Sequence, residues 1–224
     1  MIEYESSNYH NNESNHEIIP TKESCYLTEL WKSNNFKELL DLGCGFGRHS
    51  IYFAKKDFKV TAVDLSDYAI NNVNEWAKKE NLKIRTELCD MIDLPFKDNT
   101  FDSIIAHNVI YHTDTKGFIK IINEIKRILK INGEAFITLI SKNTWVYKSI
   151  NTYGRIDENT ILIDENPDKY PTEKNVPHFF VDINDIKKYF NEFEFVTTPI
   201  EETQYNMEFP KYYSTHFKFI IRKI

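Results

Sequence analysis

Three of the chain's six glycines fall within one pentapeptide, Gly43-Cys44-Gly45-Phe46-Gly47. Glycine serves where backbone turns tightly or must come close to another group, so the cluster marks a candidate site. The apolar run FKELLDL leads into it and RHSIYFAKK leads out. That order reads as strand, glycine loop, helix, the geometry that turns helix N–H groups toward a nucleotide-like ligand. The spacing departs from the dinucleotide fingerprint G-x-G-x-x-G. The third glycine of that fingerprint lets helix and strand pack closely, and here Arg48 stands in its place.

Charge narrows the ligand further. Asp41 lies two residues before Gly43. A carboxylate there repels a pyrophosphate and suits a ligand that carries an ammonium group. Asp64 closes the next apolar run, about 20 residues on, where this geometry sets an acid against ribose hydroxyls. A carboxylate can accept from both hydroxyls. S-adenosylmethionine has an ammonium, a sulfonium and no phosphate, and so meets both conditions.

Further polar side chains cluster later in the chain. Tyr111 and His112 follow the run FDSIIAHNVI and are candidates for a catalytic base or an acceptor contact. His107 and His112 lack the i, i+4 spacing of a helical metal pair, so no metal site is expected. Trp145, His178, Phe179 and His216 are candidates to line an acceptor pocket, with Tyr147, Tyr153 and Tyr170 as further walls or as a local core. Plainer roles suit other residues. Cys44 and Cys89 read as small buried fillers, His49 as packing, and Arg48 as a surface or inter-element pair. Asp102 is equally a structural cap or a ligand contact.

The elements that must position these groups alternate between strand and helix. FKELLDL, FKVTAVDL, KIRTELCD, FDSIIAHNVI and EAFITLI read as strands. A short helix is expected around Glu23 to Ser33. Ser66 can cap a helix carrying Ile70, Val73, Trp76 and Ala77. Phe118, Ile121, Ile122, Ile125, Ile128 and Leu129 form one helical face, with Asn132-Gly133 expected to stop that helix. Strands separated by helices imply a parallel, doubly wound α/β sheet with helices on both faces. Asp182 and Asp185 resemble a capping pair for the helix INDIKKYF, and EFEFVTT and HFKFIIRKI read as closing strands. Residues 1–20 read as a mobile polar arm whose only large contacts are Tyr4 and Tyr9. Residues 21–224 read as a single domain, with 142–181 as an insertion or substrate lid.

Composition sets the outer limits. At 224 residues, 41% hydrophobic and 28% charged, the chain suits one globular domain with a sizeable core. No apolar run is long enough for a membrane span, and the opening residues resemble neither a signal nor a transit peptide. A net charge of -6 argues against duplex nucleic acid as the main partner. Three widely spaced cysteines give no disulfide framework, so a reducing cytoplasm is the expected location.

Taken in order, LLDLGCGFGRHS, VTAVDLS, CDMIDLPFKDNTFDSIIAHNVIYH and RILKINGEAFITL resemble the class I S-adenosylmethionine-dependent methyltransferases, through residues 37–141. PHFFVDINDIKKYFNEFEF and STHFKFIIRK are similar to the carboxyl half of that family's small members. LKING departs from the family pattern, which often has Pro and a second Gly there. The resemblance implies a Rossmann-like, seven-stranded, mostly parallel sheet with its last strand antiparallel. It implies that Asp41, Gly43, Gly45 and Gly47 hold the methionine end of S-adenosylmethionine. Asp64 would bind ribose, Leu65 would flank adenine, Asp90 would accept from the adenine amino group, and the Met91 amide would reach the ring. Asn108 would line the channel near the sulfonium.

These readings lead to in-line methyl transfer onto a small molecule by a monomer or homodimer. The alternatives are a non-catalytic regulator that binds the same cofactor, and a methyltransferase acting on RNA or protein. A nicotinamide oxidoreductase is disfavoured by Arg48 and Asp41.

Overall fold

A computed structural model describes residues 19–149, 154–162, 176–207, 210 and 212–224. Most of the expected arm, with Tyr4 and Tyr9, lies outside the described residues, as do Tyr153, Tyr170 and part of the insertion.

The first half of the chain is built from alternating strands and helices. Helix α1 (Ser24–Ser33) precedes β1 (Glu38–Leu42), α2 (Arg48–Ala54), β2 (Lys59–Asp64), α3 (Asp67–Lys79) and β3 (Ile84–Leu88). Then come β4 (Phe101–Ala106), α4 (Thr115–Ile128) and β5 (Leu129–Ile140). Strands β1 to β5 pair in parallel in the order β3-β2-β1-β4-β5. After β1 the chain adds strands on one side, and from β4 onward it adds them on the other. The carboxyl ends of β1 and β4 therefore flank a switch point, where open α/β sheets leave a crevice for ligands.

Side-chain alternation along the strands separates two cores. Leu39, Val60, Ile105, Phe136 and Ile220 face Leu27 and Trp31 of α1 and Phe53 of α2. Leu40, Ile104, Ala135, Ile137 and Phe219 face the other way, toward Phe118, Ile121 and Ile125 of α4. Helix α4 buries the face its sequence spacing predicts. Ser66 caps α3 by accepting from the Ala69 amide at 3.3 Å.

The structure departs from expectation in three places. Helix α4 ends at Ile128, and Asn132-Gly133 lies inside β5. Asn132 takes a left-handed φ of 63° there, close to where the β4–β5 register shifts. The pair bends a strand and does not terminate a helix. The described part of the insertion also holds regular elements that its sequence does not suggest. It contains α5 (Trp145–Ser149) and a separate antiparallel pair, β6 (Thr160–Leu162) with β7 (Pro177–Phe179). Among the described residues the main sheet, finally, has eight strands and not seven. After α6 (Ile183–Tyr189) come β8 (Phe193–Phe195), β9 (Ile200–Tyr205) and β10 (Tyr213–Lys223). β10 pairs antiparallel with β5, as expected of the last strand. Its outer flank is shared: β9 pairs along Tyr213–Lys218 and β8 along Ile221–Lys223.

The Asp182–Asp185 pair forms a complete capping box on α6. The amide of Phe179 donates to the Tyr111 carbonyl at 2.8 Å, and that of Val181 to Ile140 at 3.1 Å. These bonds fasten the β6–β7 pair over the carboxyl end of the sheet, beside the β4 exit.

Candidate functional site

The glycine loop leaves β1 with left-handed backbone at Gly43 and Gly45, φ 66° and 51°. The reasons differ at the two positions. A Cβ on Gly43 would stand 2.1 Å from Val109 Cγ2, so the bare backbone lets the β4 exit pack onto the loop. A Cβ on Gly45 would meet nothing within 4 Å. Gly45 thus faces open space beside the amino end of α2, the form of a cradle. Gly47 is the residue that precedes α2.

Two carboxylates organise this loop. Asp64, at the tip of β2, accepts from the Gly45 amide through Oδ2 and from the Ser66 amide through Oδ1, both at 2.9 Å. It locks the β1 and β2 loops into one rim, and each carboxylate oxygen keeps a second lone pair for a ligand hydroxyl. Asp41 takes a different position from the one its place in the sequence suggests. It is 2% exposed, and the Ser50 hydroxyl donates to its Oδ2 at 2.6 Å. Burial raises its pKa to about 6, against the opposing hydrogen bonds from the Ser50 side chain and backbone. The carboxylate is turned onto Ser50 in the first turn of α2.

The rest of the rim follows the strand ends. Leu65 after β2, Tyr68 in the first turn of α3 and Leu88 at the end of β3 are all exposed. Asp90 is exposed and accepts from the Ile92 amide at 3.1 Å, while Met91 packs partly into the core. Asn108 takes φ 55°. Its amide donates to Thr138 Oγ1 at 2.6 Å, and the Thr138 hydroxyl donates back to its Oδ1 at 2.8 Å. Cys44 fills space against Ala62, Ile70 and Val73, and burial pushes its thiol well up.

These residues form a chemically coherent fit to S-adenosylmethionine. Open backbone at Gly45 admits close approach. Asp64 can accept hydroxyls, and the exposed apolar tips suit a flat heterocycle. The buried negative charge of Asp41 suits a cationic tail.

A second group of side chains meets beyond the β4 exit. The Tyr111 hydroxyl lies 3.2 Å from His216 Nε2, and His216 Nδ1 lies 3.3 Å from Ser214 Oγ. The Tyr111 ring centroid is 4.5 Å from that of His112, 5.7 Å from His216 and 5.9 Å from His178. His178 Nδ1 lies 3.0 Å from the Val176 carbonyl. Four residues from three distant segments thus share one wall. Trp145 packs edge-on against Tyr212, with ring centroids 4.7 Å apart, just ahead of β10.

Phe179 does not belong to this wall. It is fully buried and stacks on Phe118 of α4 at 4.1 Å. Alternation along β7 gives His178 and Phe179 opposite faces, so only His178 turns to Tyr111.

One cluster was not evident from sequence. Arg48 Nη2, at the start of α2, lies 3.2 Å from His107 Nδ1, just past β4, and the His107 ring centroid stands 5.1 Å from that of His49. His49 Nε2 accepts from the Thr21 amide at 3.2 Å. Burial, aided by Arg48, pushes His107 down to about 3 and keeps it neutral. Burial lowers His49 well below its ordinary value. These residues are far apart in sequence, and only the topology brings them together. Among the described residues no group of three or more His, Cys, Asp or Glu could hold a metal ion, and no helix is long and apolar enough to cross a membrane.

Residues 39–133 match a family model described as a methyltransferase domain. An uncharacterized protein of Methanocaldococcus jannaschii is 36% identical over 121 residues, 54% of this chain and 49% of that one. A probable S-adenosyl-L-methionine-dependent methyltransferase, TehB of Haemophilus influenzae, is 33% identical over 96 residues, 43% of this chain and 33% of that one. The chain therefore spans half or less of the length of these relatives. Among solved structures, a SAM-dependent methyltransferase from Methanosarcina mazei superposes with a TM-score of 0.70 at 21% identity, covering 84% of this chain and 92% of that one.

Proposed function

We propose that this chain, a member of the class I S-adenosylmethionine-dependent methyltransferases, transfers a methyl group from that cofactor to a small-molecule acceptor. The observation that carries the reading is the joined rim at the switch point. Gly45 opens the loop to a ligand, and Asp64 fixes it while keeping lone pairs for ribose hydroxyls. The cofactor supplies an activated methyl on a positively charged sulfur.

The remaining task falls to the protein. It must align donor and acceptor and exclude water. Gly43, Gly45 and Gly47 shape the cradle for the methionine end, with Asp41 supporting it from below. Leu65, Asp90 and the Met91 amide are assigned to the adenine, and Asn108, held by Thr138, to the channel beside the sulfur. Tyr111, His112, His178 and His216 are assigned to the acceptor, with Trp145 at its margin. Their aromatic character and the overall acidic charge support a small molecule over RNA.

Calorimetric titration with S-adenosylhomocysteine tests the cofactor assignment. Asp64→Ala should weaken binding by about 1–3 kcal/mol, because a charged acceptor for enclosed hydroxyls is lost. Unchanged affinity would remove Asp64 from the ribose site. Transfer of label from the cofactor into a metabolite extract distinguishes an enzyme from a regulator that only binds.

A further inference from the structure

We propose that Tyr111, backed by His216 and Ser214, is the base that removes a proton from the acceptor. The acceptor is then a weakly acidic hydroxyl or ring N–H compound. This inference rests on the methyl-transfer reading and gives it a substrate class.

The first support is a base with its own orienting partner. Tyr111 Oη and His216 Nε2 are 3.2 Å apart, and the line continues from His216 Nδ1 to Ser214 Oγ at 3.3 Å. Ser214 and His216 lie two apart on β10, so one strand face presents both. A hydrogen-bonded base that is in turn oriented by a third group is the arrangement proton transfer requires. This half-buried polar chain suits an acceptor that must lose a proton, and not a tertiary amine or a thioether.

The second support is position. Val109 packs directly against Gly43 of the cofactor loop, and Tyr111 is two residues further along the same β4 exit. The Asn108–Thr138 bonds fix that exit on β5. A displacement of the glycine loop therefore reaches Tyr111 through one short segment. His112 and His178 stand edge-on to one another at 4.7 Å and wall the same space.

The third support is charge. His107, the residue after β4, is close enough to interact electrostatically with His216 and is itself held neutral. On β9, Glu202 pairs with Lys218 and Lys22, and Glu23 also takes Lys218. Arg48 adds a cation beside His107. The Arg48 guanidinium beside a neutral His107 favours an acceptor that becomes more negative as its proton leaves. It disfavours one that ends as a quaternary ammonium.

The step balances as follows. The acceptor's oxygen or nitrogen lone pair forms the bond to the methyl carbon, and the carbon–sulfur pair stays on sulfur. The acceptor proton passes to Tyr111 Oη, whose own proton passes to His216 Nε2. The resulting imidazolium is held by Tyr111 on one side and, through Nδ1–H, by Ser214 on the other.

The test uses the full chain and its Tyr111→Phe, His216→Gln and Ser214→Ala variants. S-adenosylhomocysteine affinity, read by calorimetry, should stay within about twofold in all three. If wild type fails to bind it, the underlying function is wrong. Labelled transfer is then measured with two acceptor sets: phenols, catechols and N–H azoles in one, tertiary amines and thioethers in the other. Transfer should go to the first set. Tyr111→Phe and His216→Gln should each lose about 100-fold or more in kcat/KM, in the range general-base catalysis supplies, and the rising limb of the pH–rate profile should disappear in both. Independently of activity, the His216 Nε2 nitrogen shift should move in Tyr111→Phe. Binding of S-adenosylhomocysteine with transfer only to the second set overturns the relay, as does a His216 shift indifferent to Tyr111.

Discussion

At Gly43 the backbone conformation and the neighbouring side chain make separate demands. A left-handed φ on a residue with a Cβ costs about 1–2 kcal/mol. At Gly43 the added carbon also overlaps Val109, at 2.1 Å from Cγ2 and 2.8 Å from Cβ. Overpacking of that kind adds about 1–3 kcal/mol. At Gly45 only the backbone cost applies, since nothing lies within 4 Å. Gly43→Ala should therefore lose clearly more stability in urea denaturation than Gly45→Ala. Gly45→Ala should instead show its main effect on S-adenosylhomocysteine affinity, because its methyl enters the cradle. Equal stability losses would mean that Val109 yields freely. Asp41 allows a second residue-level prediction. Burial raises its pKa from 3.8 to about 6, so the folded state holds its proton more tightly than the unfolded chain does. The stability from this group is complete below pH 4 and is lost as the pH rises to about 6, a difference of at most about 3 kcal/mol. Asp41→Asn should remove that decline. Denaturation midpoints measured across the window should diverge from wild type toward higher pH; parallel profiles would contradict the assignment. The place of Asp41 in the chain was legible, but the direction of its carboxylate was not, because Ser50 captures it from the next helix.

Elements at the opposite end of the sheet hold the frame that the site depends on. Glu134, midway along β5, is fully buried. It accepts from Trp31 Nε1 at 3.1 Å, Asn34 Nδ2 at 3.3 Å and Arg222 Nη2 at 2.8 Å. One carboxylate thus joins α1, β5 and β10. Removing it leaves an indole N–H and a half-buried guanidinium without their shared acceptor. Breaking a buried pair costs about 3–5 kcal/mol, and the partial exposure of Arg222 and its second partner Glu194 favour the lower end. Glu134→Ala should therefore lose about 3 kcal/mol in chemical denaturation, with Glu134→Gln between it and wild type. Cofactor affinity should scarcely change in the folded protein, since the site lies at the other edge. A cost within error for Glu134→Ala would show that α1 is held by its apolar face alone. At this scale the sequence was most readable where hydrophobic period and capping agreed, as in β1 to β5, α3, α4 and the α6 box. It was least readable where backbone pairing decides. β9, IEETQY, carries few apolar residues and is a strand because β10 offers it an edge. The β6–β7 pair is likewise fixed by long-range bonds to Tyr111 and Asn159.

Over the whole molecule, the site is an assembly of loops that no single element makes. The glycine loop follows β1, Asp64 closes β2, Asp90 follows β3, and Asn108 to Tyr111 follow β4. His178 comes from β7, and His216 from β10. The positions of the candidate cofactor half were legible because its residues follow consecutive strands in fixed order. Those of the proposed acceptor half were legible only as separate side chains, because their convergence depends on β10 returning antiparallel beside β5. This division predicts how ligands should couple the parts. Loops are the low-stability end of a fold, and a ligand that bridges several of them raises their local opening energy together. S-adenosylhomocysteine at 100 times its dissociation constant should stabilise the fold by about 2.7 kcal/mol. In hydrogen exchange, protection should appear together at Gly43 to Gly47, at Ser66 and at Met91–Ile92, although these segments lie on three different loops. It should extend to Asn108 through the Val109–Gly43 contact, whereas the amides of β8 and β9 should exchange as before. Protection confined to β8 and β9, with the glycine loop unchanged, would place the ligand on the outer edge of the sheet and detach the cradle from its assigned role.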